Sequence, residues 1–166
     1  QADAMTAAIE SQRMEYPRCM GTLYWQLNDV WNGASWSTIE EDGTWKAGHY
    51  ALKRLYAPSL LSYRLVNGKA EVWYQTHAPS ESDLKLECSL SDLYGKPKNT
   101  QLIPFRDTMN LPRLLLSIEM DSLLRGWPIN NAYWHIKVLS NEQVLAETVA
   151  LFTEPSKLEL KNPELE

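Results

Sequence analysis

Apolar residues recur with a helical period near the start of the chain. Over residues 3–16 they fall at three- and four-residue steps in an alanine-rich background, which predicts an amphipathic helix. Asp3 is placed to cap its first turn, and Pro17 stops it because proline cannot continue the helical hydrogen-bond ladder. The apolar positions of this helix are Met5, Ile9 and Tyr16.

A buried strand, a polar loop and a second helix are predicted next. Residues 21–27 are short, apolar and β-prone, as a strand buried on both faces is expected to be. After a loop over 28–43, Thr44 can cap a helix that Pro58 ends. A parallel strand needs neighbours on both edges, so this order predicts the last piece of an α/β domain whose other strands lie upstream. The apolar stripe of the second helix includes Trp45, Leu52 and Leu55.

From about position 60 the period of the apolar residues changes to two, which is typical of half-buried strands. Asn67-Gly68 is a tight-hairpin dipeptide, and residues 121–124 predict one helical turn. About seven short strands with turns every eight to twelve residues or so indicate an antiparallel sandwich of immunoglobulin type. The strands recognised from the pattern cover 62–66, 70–76, 83–90, 113–119, 133–139 and 143–152.

The alternation also predicts which side chains form the core of this sandwich. Residues 155–166 are polar and punctuated by proline, and are predicted to be a linker or tail. The predicted core comprises Leu84, Leu86, Cys88, Leu90, Leu114, Leu116, Ile118, Trp134, Ile136, Val138 and Val149.

Composition narrows the class of protein only slightly. The chain has 166 residues, 44% hydrophobic and 22% charged, with a net charge of −5, so we expect no nucleic-acid partner. No apolar run approaches the roughly 20 residues that cross a bilayer, so we expect no membrane partner. Cys19 and Cys88 form neither a disulfide framework nor a metal pattern. They are expected to be separate free thiols and leave the compartment open, and no metal or cofactor is predicted.

Polar and aromatic residues cluster at the end of the predicted strand 21–27. Gln26, Asn28 and Asp29 lie beside Trp25 and Trp31, and four of the seven tryptophans fall between positions 25 and 45. Carboxamides and carboxylates bind sugar hydroxyls, while the apolar face of a sugar ring stacks on indole. A core strand followed by an ordinary loop explains the same residues, since buried tryptophan and tyrosine are common.

The same segment carries a family resemblance. The chain from Arg18 to Pro58 resembles the end of the catalytic barrel in family 2 glycoside hydrolases, most closely the β-mannosidases. Residues 151–160 resemble the sequence that closes the next domain of that family, whereas between 60 and 150 the resemblance rests on strand pattern. The matching pieces, in order, are RCMGTLYWQLNDVW, GASWSTIE, WKAGHYA and LYAP.

The resemblance implies a mixed fold and a division of the chain. Residues 1–58 would be the terminal αβα piece of a (β/α)8 barrel, 59–154 an immunoglobulin-like β-sandwich, and 155–166 a linker or tail. It implies a parent enzyme that removes terminal non-reducing β-D-mannose from oligosaccharides with retention, using two glutamates on earlier barrel strands. Neither glutamate falls in this chain, which alone is expected to be inactive. The unpaired strand of the incomplete barrel is expected to be mobile, to collapse or to self-associate.

The resemblance also assigns roles to individual residues. Trp25 matches a hydrophobic wall of the pocket for the terminal sugar, and the peptide bond after it is expected to be cis, as in related enzymes. Asn28 and Asp29 would bind hydroxyls or orient the missing glutamates, and Trp31 would contribute a further sugar contact. The chain departs from the family pattern after the second loop tryptophan and before the Gly-x-Trp-Lys sequence, at Asn32, Glu41 and Asp42.

Other interpretations stay open at the level of sequence. A non-enzymatic carbohydrate-binding or scaffolding sandwich is one, and a sibling β-galactosidase, β-glucuronidase or exo-glucosaminidase is another. Glu40 and Glu41 are interpreted as a solvated turn, and His49 as a hydrogen-bonded packing residue of the second helix rather than a catalyst. Trp73 and Trp134 lie in predicted strands and are interpreted as core, although an exposed pair would indicate a sugar-binding face.

Overall fold

The computed structural model of the protein describes residues 1–78 and 80–161. The chain divides into two compact units. The first contains residues 1–60 together with 75–78 and 110–112, and the second contains the remainder. The chain is mostly β-sheet with little helix, and its strands are concentrated in the second unit.

Two helices form the framework of the first unit. Helix α1 spans Ala2–Met14 and helix α2 spans Ala47–Leu55, close to the predicted ranges. They enclose a small apolar cluster, because each helix turns one apolar side toward the other. The buried members are Ile9, Leu52, Leu55 and Leu60, and Met5, Tyr24 and Ala51 pack against them.

Both predicted helix caps are wrong. Helix α1 starts one residue earlier than expected, so its N-cap is Gln1 and Asp3 lies in the first turn, where a negative charge favours the helix dipole. The N-cap of helix α2 is Lys46. Thr44 is instead held in the preceding turn, because its amide donates to Asp42 Oδ1 at 2.8 Å and its carbonyl accepts from the Glu40 amide at 2.8 Å.

The predicted buried strand over 21–27 is wrong. The backbone there forms no strand, and its side chains alternate between exposed and half-buried. Leu23 and Trp25 are 101% and 74% exposed, whereas Tyr24 packs on the apolar cluster of the first unit. A strand needs a neighbouring strand to which its backbone is hydrogen-bonded, and none of the described strands pairs with this segment.

The second unit contains a β-sandwich of two antiparallel sheets. One sheet has the order β1-β2-β5 and the other the order β4-β3-β6-β7. Asn67 and Gly68 adopt φ values of 50° and 78°, which is the left-handed pair that a tight hairpin turn requires. The strands are β1 (Ser59–Val66), β2 (Lys69–Thr76), β3 (Ser80–Asp92), β4 (Pro97–Asp107), β5 (Arg113–Glu119), β6 (Ala132–Ser140) and β7 (Gln143–Leu151), with helix α3 (Met120–Leu124) after β5.

Strand β4 was not identified from the sequence pattern. It lies at the edge of its sheet and pairs only with β3 among the described strands. Its sequence is polar and contains two prolines, and most of its side chains are exposed or half-buried. Edge strands carry such residues because they face solvent on one side, so their apolar alternation is weak.

Most of the predicted sandwich core is confirmed, including the alternation of Leu84, Leu86, Cys88 and Leu90. Leu114 and Val149 were predicted in error, since they are 40% and 50% exposed. Val149 pairs with the half-buried His135 and lies between the buried Thr148 and Ala150, so it belongs to the outer face of its sheet. At Leu114 the pairing register shifts, between Val72 and Trp73 of the neighbouring strand. Because the side-chain period of a strand is two, a shift of one residue turns an apolar residue outward.

The end of the chain makes several contacts within the second unit. A 3-10 helix spans Pro155–Lys157. The Tyr94 hydroxyl donates to the Glu159 carbonyl at 3.0 Å and accepts from the Lys161 amide at 2.8 Å. The Asn130 side chain donates to Glu159 Oε1 at 3.0 Å. Residues 162–166 of the predicted linker lie outside the described residues.

Replacing Leu86 and Leu114 separately tests which face of the sandwich is buried. Leu86 is fully buried, so Leu86→Ala should lower the free energy of unfolding by about 2–5 kcal/mol. Leu114→Ala is the matched control and should cost about 1 kcal/mol or less. Urea unfolding followed by circular dichroism measures both. Equal losses for the two variants would contradict the observed orientation of β5.

Thiol titration tests the environment of the two cysteines. Both are free, as expected; Cys88 is buried and Cys19 is half-buried. Burial raises the pKa of the Cys88 thiol to about 12, and the neighbouring Glu87 charge adds to the effect. Cys88 should therefore stay protonated and unreactive toward a disulfide reagent at pH 8, while Cys19 reacts. Two thiols should react after unfolding, and Cys19→Ser should remove the reaction of the folded protein.

Candidate functional site

Backbone hydrogen bonds fold the loop that follows Leu27. The Asp29 amide donates to the Ile39 carbonyl at 2.9 Å, and the Thr38 amide donates to the Leu27 carbonyl at 3.1 Å. Ile39 also pairs with Trp45 in an isolated antiparallel bridge. The two ends of the loop are therefore held together across their backbones, although the loop belongs to neither sheet.

A charged network inside the loop centres on Asp29. This side chain is only 8% exposed, and Lys46 Nζ lies 2.6 Å from its Oδ2. Ser35 Oγ donates to Oδ1 at 2.7 Å, while Lys46 also donates to Ser37 Oγ at 3.0 Å. Glu40 lies 3.6 Å from the same ammonium group. Both oxygens of the Asp29 carboxylate are thus occupied by groups of its own loop.

The network shifts the protonation of both partners. The hydrogen bond from Lys46, followed by those from the Ser37 and Ser35 hydroxyls, lowers the pKa of the Asp29 carboxyl to about 2. The same hydrogen bond raises the pKa of Lys46. Both groups are charged at neutral pH, because hydrogen bonds to the charged form of a side chain stabilise that form.

Three tryptophan side chains of this loop region are exposed. Trp25, Trp31 and Trp36 are 74%, 73% and 64% exposed. Exposed indole faces are uncommon unless they are used for binding, because each forfeits a large apolar burial. Gln26 connects two parts of this surface, since its side chain donates to the Asn28 carbonyl at 2.8 Å and accepts from Trp36 Nε1 at 3.4 Å. The peptide bond between Trp25 and Gln26 is cis, as the family resemblance implies.

The four residues predicted to bind substrate differ in environment. Trp25, Asn28 and Trp31 are exposed, whereas Asp29 is buried in its network. The Asn28 side chain donates to the Asp29 carbonyl at 3.0 Å. Their role in binding stays a prediction.

Sequence reasoning did not identify the partners of Asp29. Lys46 lies 17 positions away, and Ser35 and Ser37 are small polar residues without a distinctive pattern. The sequence feature that could have identified Lys46 is the motif WKAGHYA, in which Lys46 follows Trp45 and precedes the second helix. A lysine directly before a helix cannot satisfy the helix N-terminus, and this would have indicated that its charge is used elsewhere.

His49 has the packing role expected from the sequence. Its Nδ1 lies 3.0 Å from Thr38 Oγ1, and its ring centroid is 4.4 Å from that of Trp45 in an edge-on arrangement. Thr38 also donates its hydroxyl to the Leu27 carbonyl at 3.2 Å. His49 therefore supports the base of the loop from helix α2.

Neither a metal-ligand cluster nor a membrane-spanning helix is found in the described part of the chain. Within residues 1–78 and 80–161, no cluster of three or more His, Cys, Asp or Glu side chains is arranged to hold a metal ion. In that same part of the chain, no helix is long and apolar enough to cross a bilayer.

The amino-acid sequence is similar to curated β-mannosidases. It is 35% identical to β-mannosidase A of Aspergillus fumigatus over 81 residues, which are 48% of this chain and 9% of that protein. It is 41% identical to β-mannosidase A of Emericella nidulans over 58 residues, 34% of this chain and 6% of that protein. The resemblance to β-mannosidases inferred from the sequence is confirmed, and this chain spans less than a tenth of the length of these relatives. No protein-family model matches the chain.

Solved structures share the fold. A β-D-mannosidase of Dictyoglomus thermophilum superposes with a TM-score of 0.80 at 23% identity, over 98% of this chain and 20% of that one. The exo-chitosanase CsxA of Amycolatopsis orientalis superposes with a TM-score of 0.69 at 16% identity, over 90% of this chain and 18% of that one. At these identities the likeness concerns the fold alone.

The titration of Asp29 tests the network that holds the loop. Because its pKa is lowered to about 2, its contribution to stability should be complete above its unfolded value near 4. The contribution should be lost as the pH falls through about 2. Carboxyl carbon shifts measured by NMR should give a midpoint near 2 for Asp29.

Two lysine variants complete this test. Lys46→Met should raise the Asp29 midpoint toward the ordinary value, because the strongest hydrogen bond to the carboxylate is lost. Lys53→Met removes an exposed lysine of helix α2 and should leave the midpoint unchanged. An ordinary midpoint in the unmodified protein would contradict the ion pair.

Proposed function

We propose that this chain is part of a retaining β-mannosidase of glycoside hydrolase family 2. The parent enzyme would hydrolyse terminal non-reducing β-D-mannose residues of oligosaccharides. This chain would supply one wall of the sugar site through Trp25, Asn28, Asp29 and Trp31. The similarity of its amino-acid sequence to curated β-mannosidases supports the proposal, and so does the arrangement of the loop that carries these residues.

The domain organisation is part of the same proposal. Residues 1–58 would complete a (β/α)8 barrel, residues 59–154 would form the immunoglobulin-like sandwich, and residues 155–166 would lead onward. The segment 21–27 supports this division, since it pairs with none of the described strands and leaves Leu23 fully exposed, as a segment would whose partners belong to the rest of the barrel. Barrel active sites lie at the carboxyl ends of the strands, and Trp25 and Asn28 would lie at such an end in the completed barrel.

One observation carries the functional proposal. The loop after Leu27 is held by an ion pair between the buried Asp29 and the half-buried Lys46, and Trp25 and Trp31 are nevertheless about three-quarters exposed. A rigid indole face in water is suited to stacking against the apolar face of a sugar ring, because little side-chain freedom is lost on binding. The exposed Asn28 side chain provides an amide within the same stretch for a sugar hydroxyl.

Asp29 acts in this proposal as a positioning residue. Ser35 and Lys46 occupy both of its carboxylate oxygens, so it fixes the loop that presents the tryptophans. A retaining glycosidase needs two carboxyl groups about 5 Å apart, one as nucleophile and one as acid and base. Both would come from glutamates outside this sequence, so the 166-residue chain alone should not hydrolyse an aryl β-mannoside.

Replacing Trp25 in the whole enzyme tests the sugar wall. Trp25→Ala should lower kcat/KM for an aryl β-mannoside about tenfold to a hundredfold, or ~1.4–2.7 kcal/mol, because the stacking surface is lost. The melting temperature should change little, since this side chain is largely exposed in the present chain.

Trp25→Phe is the matched variant, and it should recover part of the activity because it restores a smaller aromatic face. Unchanged kinetics for Trp25→Ala would contradict the proposed site. Turnover by the 166-residue chain alone would contradict the placement of the catalytic carboxylates elsewhere.

A further inference from the structure

A cavity lined by both polar and apolar residues lies within the first unit, beside the end of helix α1. Its volume is about 250 Å3. A water molecule takes about 30 Å3 of liquid, so the cavity has room for a small molecule of several heavy atoms. The polar side chains that line it include Gln12, Arg13, Tyr16, Thr22, Gln75 and His77.

Arg13 brings a buried positive charge to this cavity. Its side chain is 9% exposed, and Nε donates to Gln75 Oε1 at 2.9 Å. The terminal nitrogens donate to the carbonyl oxygens of Leu55 at 2.6 Å, Ala57 at 2.8 Å and Pro58 at 3.3 Å. All four partners are neutral, and no described residue forms an ion pair with Arg13.

The charge of Arg13 is therefore solvated by dipoles alone. Burial lowers the pKa of its guanidinium group, and no neighbouring anion offsets this effect. A guanidinium group has five N–H donors, of which the four carbonyl-type acceptors use four. A buried charge without a counter-ion is costly, so a nearby anion would be stabilising.

Gln75 adds unused donors to the same cavity. Its side chain is fully buried, and its Nε2 has no hydrogen-bond partner among the described residues. The orientation of the amide is fixed because Oε1 accepts the hydrogen bond from Arg13 Nε. A buried amide nitrogen without an acceptor is destabilising. Gln75, a lining residue of the cavity, thus carries an amide nitrogen without an acceptor, next to a positive charge that lacks a negative one among the described residues.

We propose that this cavity binds a small oxyanion, either phosphate or the carboxylate of a small organic acid, between Arg13 and the Nε2 group of Gln75. An oxyanion supplies the two things that the lining lacks, which are a negative charge and acceptor oxygens. Planar guanidinium and amide donors match the geometry of such oxygens. The proposed anion ligands, Arg13 and Gln75, are not among the residues assigned to the sugar wall, so anion binding is tested separately from the proposed function.

Calorimetric titration of the 166-residue chain tests the site. Inorganic phosphate and acetate are titrated separately, with sodium chloride at matched ionic strength as the blank. Saturable binding of one anion per chain supports the proposal, and the anion that binds more tightly identifies the class of ligand. If neither anion binds more tightly than chloride, the proposal is overturned.

A glutamate at position 75 provides the sharpest variant. Gln75→Glu keeps an acceptor for Arg13 Nε and places a carboxylate where the unused amide nitrogen lies, so the protein carries its own anion. It should weaken anion binding by about tenfold or more and raise the melting temperature of the ligand-free chain. Anion binding that is unchanged in this variant would overturn the proposal.

Two further variants separate the loss of the Gln75 amide donors from a general effect of charge on anion binding. Gln75→Met removes the amide donors without adding a charge, and it too should weaken anion binding by about tenfold or more. Arg18→Gln removes an arginine whose side chain is 88% exposed, and it should leave anion binding unchanged. Equal losses in Arg18→Gln and Gln75→Met would show that the loss of binding is not specific to the cavity and would overturn the site.

Discussion

The ion pair between Asp29 and Lys46 is the interaction on which the candidate site depends. It joins the beginning of the loop to the residue directly before helix α2, so the loop is closed by side chains as well as by backbone hydrogen bonds. Asp29 is buried and Lys46 half-buried, and Ser35 and Ser37 form further hydrogen bonds with the pair. A buried pair specifies one arrangement of its surroundings because an unpaired charge there would be costly. The backbone that carries the exposed tryptophans is therefore held in place although their side chains are not buried.

Hydrogen bonds between polar groups contribute much of the stabilisation of the first unit. Its apolar cluster has only four fully buried members, which is small for a unit of this length. Arg13 compensates in part by binding three carbonyl groups at the end of helix α2 and just beyond it, together with the side chain of Gln75. These contacts tie the two helices to the chain that follows them. The unused donors left by this arrangement are the basis of the proposed anion site.

The second unit is stabilised by an apolar core between its two sheets, as is usual for a β-sandwich. Its core is one cluster drawn from both sheets, with the alternating residues of β3 at its centre. Trp134 is fully buried and belongs to this core, whereas Trp73 is only half-buried and hydrogen-bonds to Glu71. The two tryptophans are thus not an exposed pair.

The local pattern of apolar and turn residues was sufficient to predict those helices and strands whose packing partners lie within this chain. The helices, the Asn67-Gly68 hairpin and most strands were predicted because their period and turn residues are local properties. The similarity to β-mannosidases was also evident from the residues between Arg18 and Pro58. The edge strand β4 was missed because an edge does not require an apolar pattern.

Tertiary structure decided everything that depends on pairing between distant residues. The register shift that exposes Leu114 arises between two strands and leaves no mark in either strand alone. The segment 21–27 has the composition of a buried strand, and it stays unpaired because composition does not supply a neighbour. Asp29 could be singled out from the sequence, but its partner Lys46 could not, since an ion pair between distant positions is set by how the loop folds.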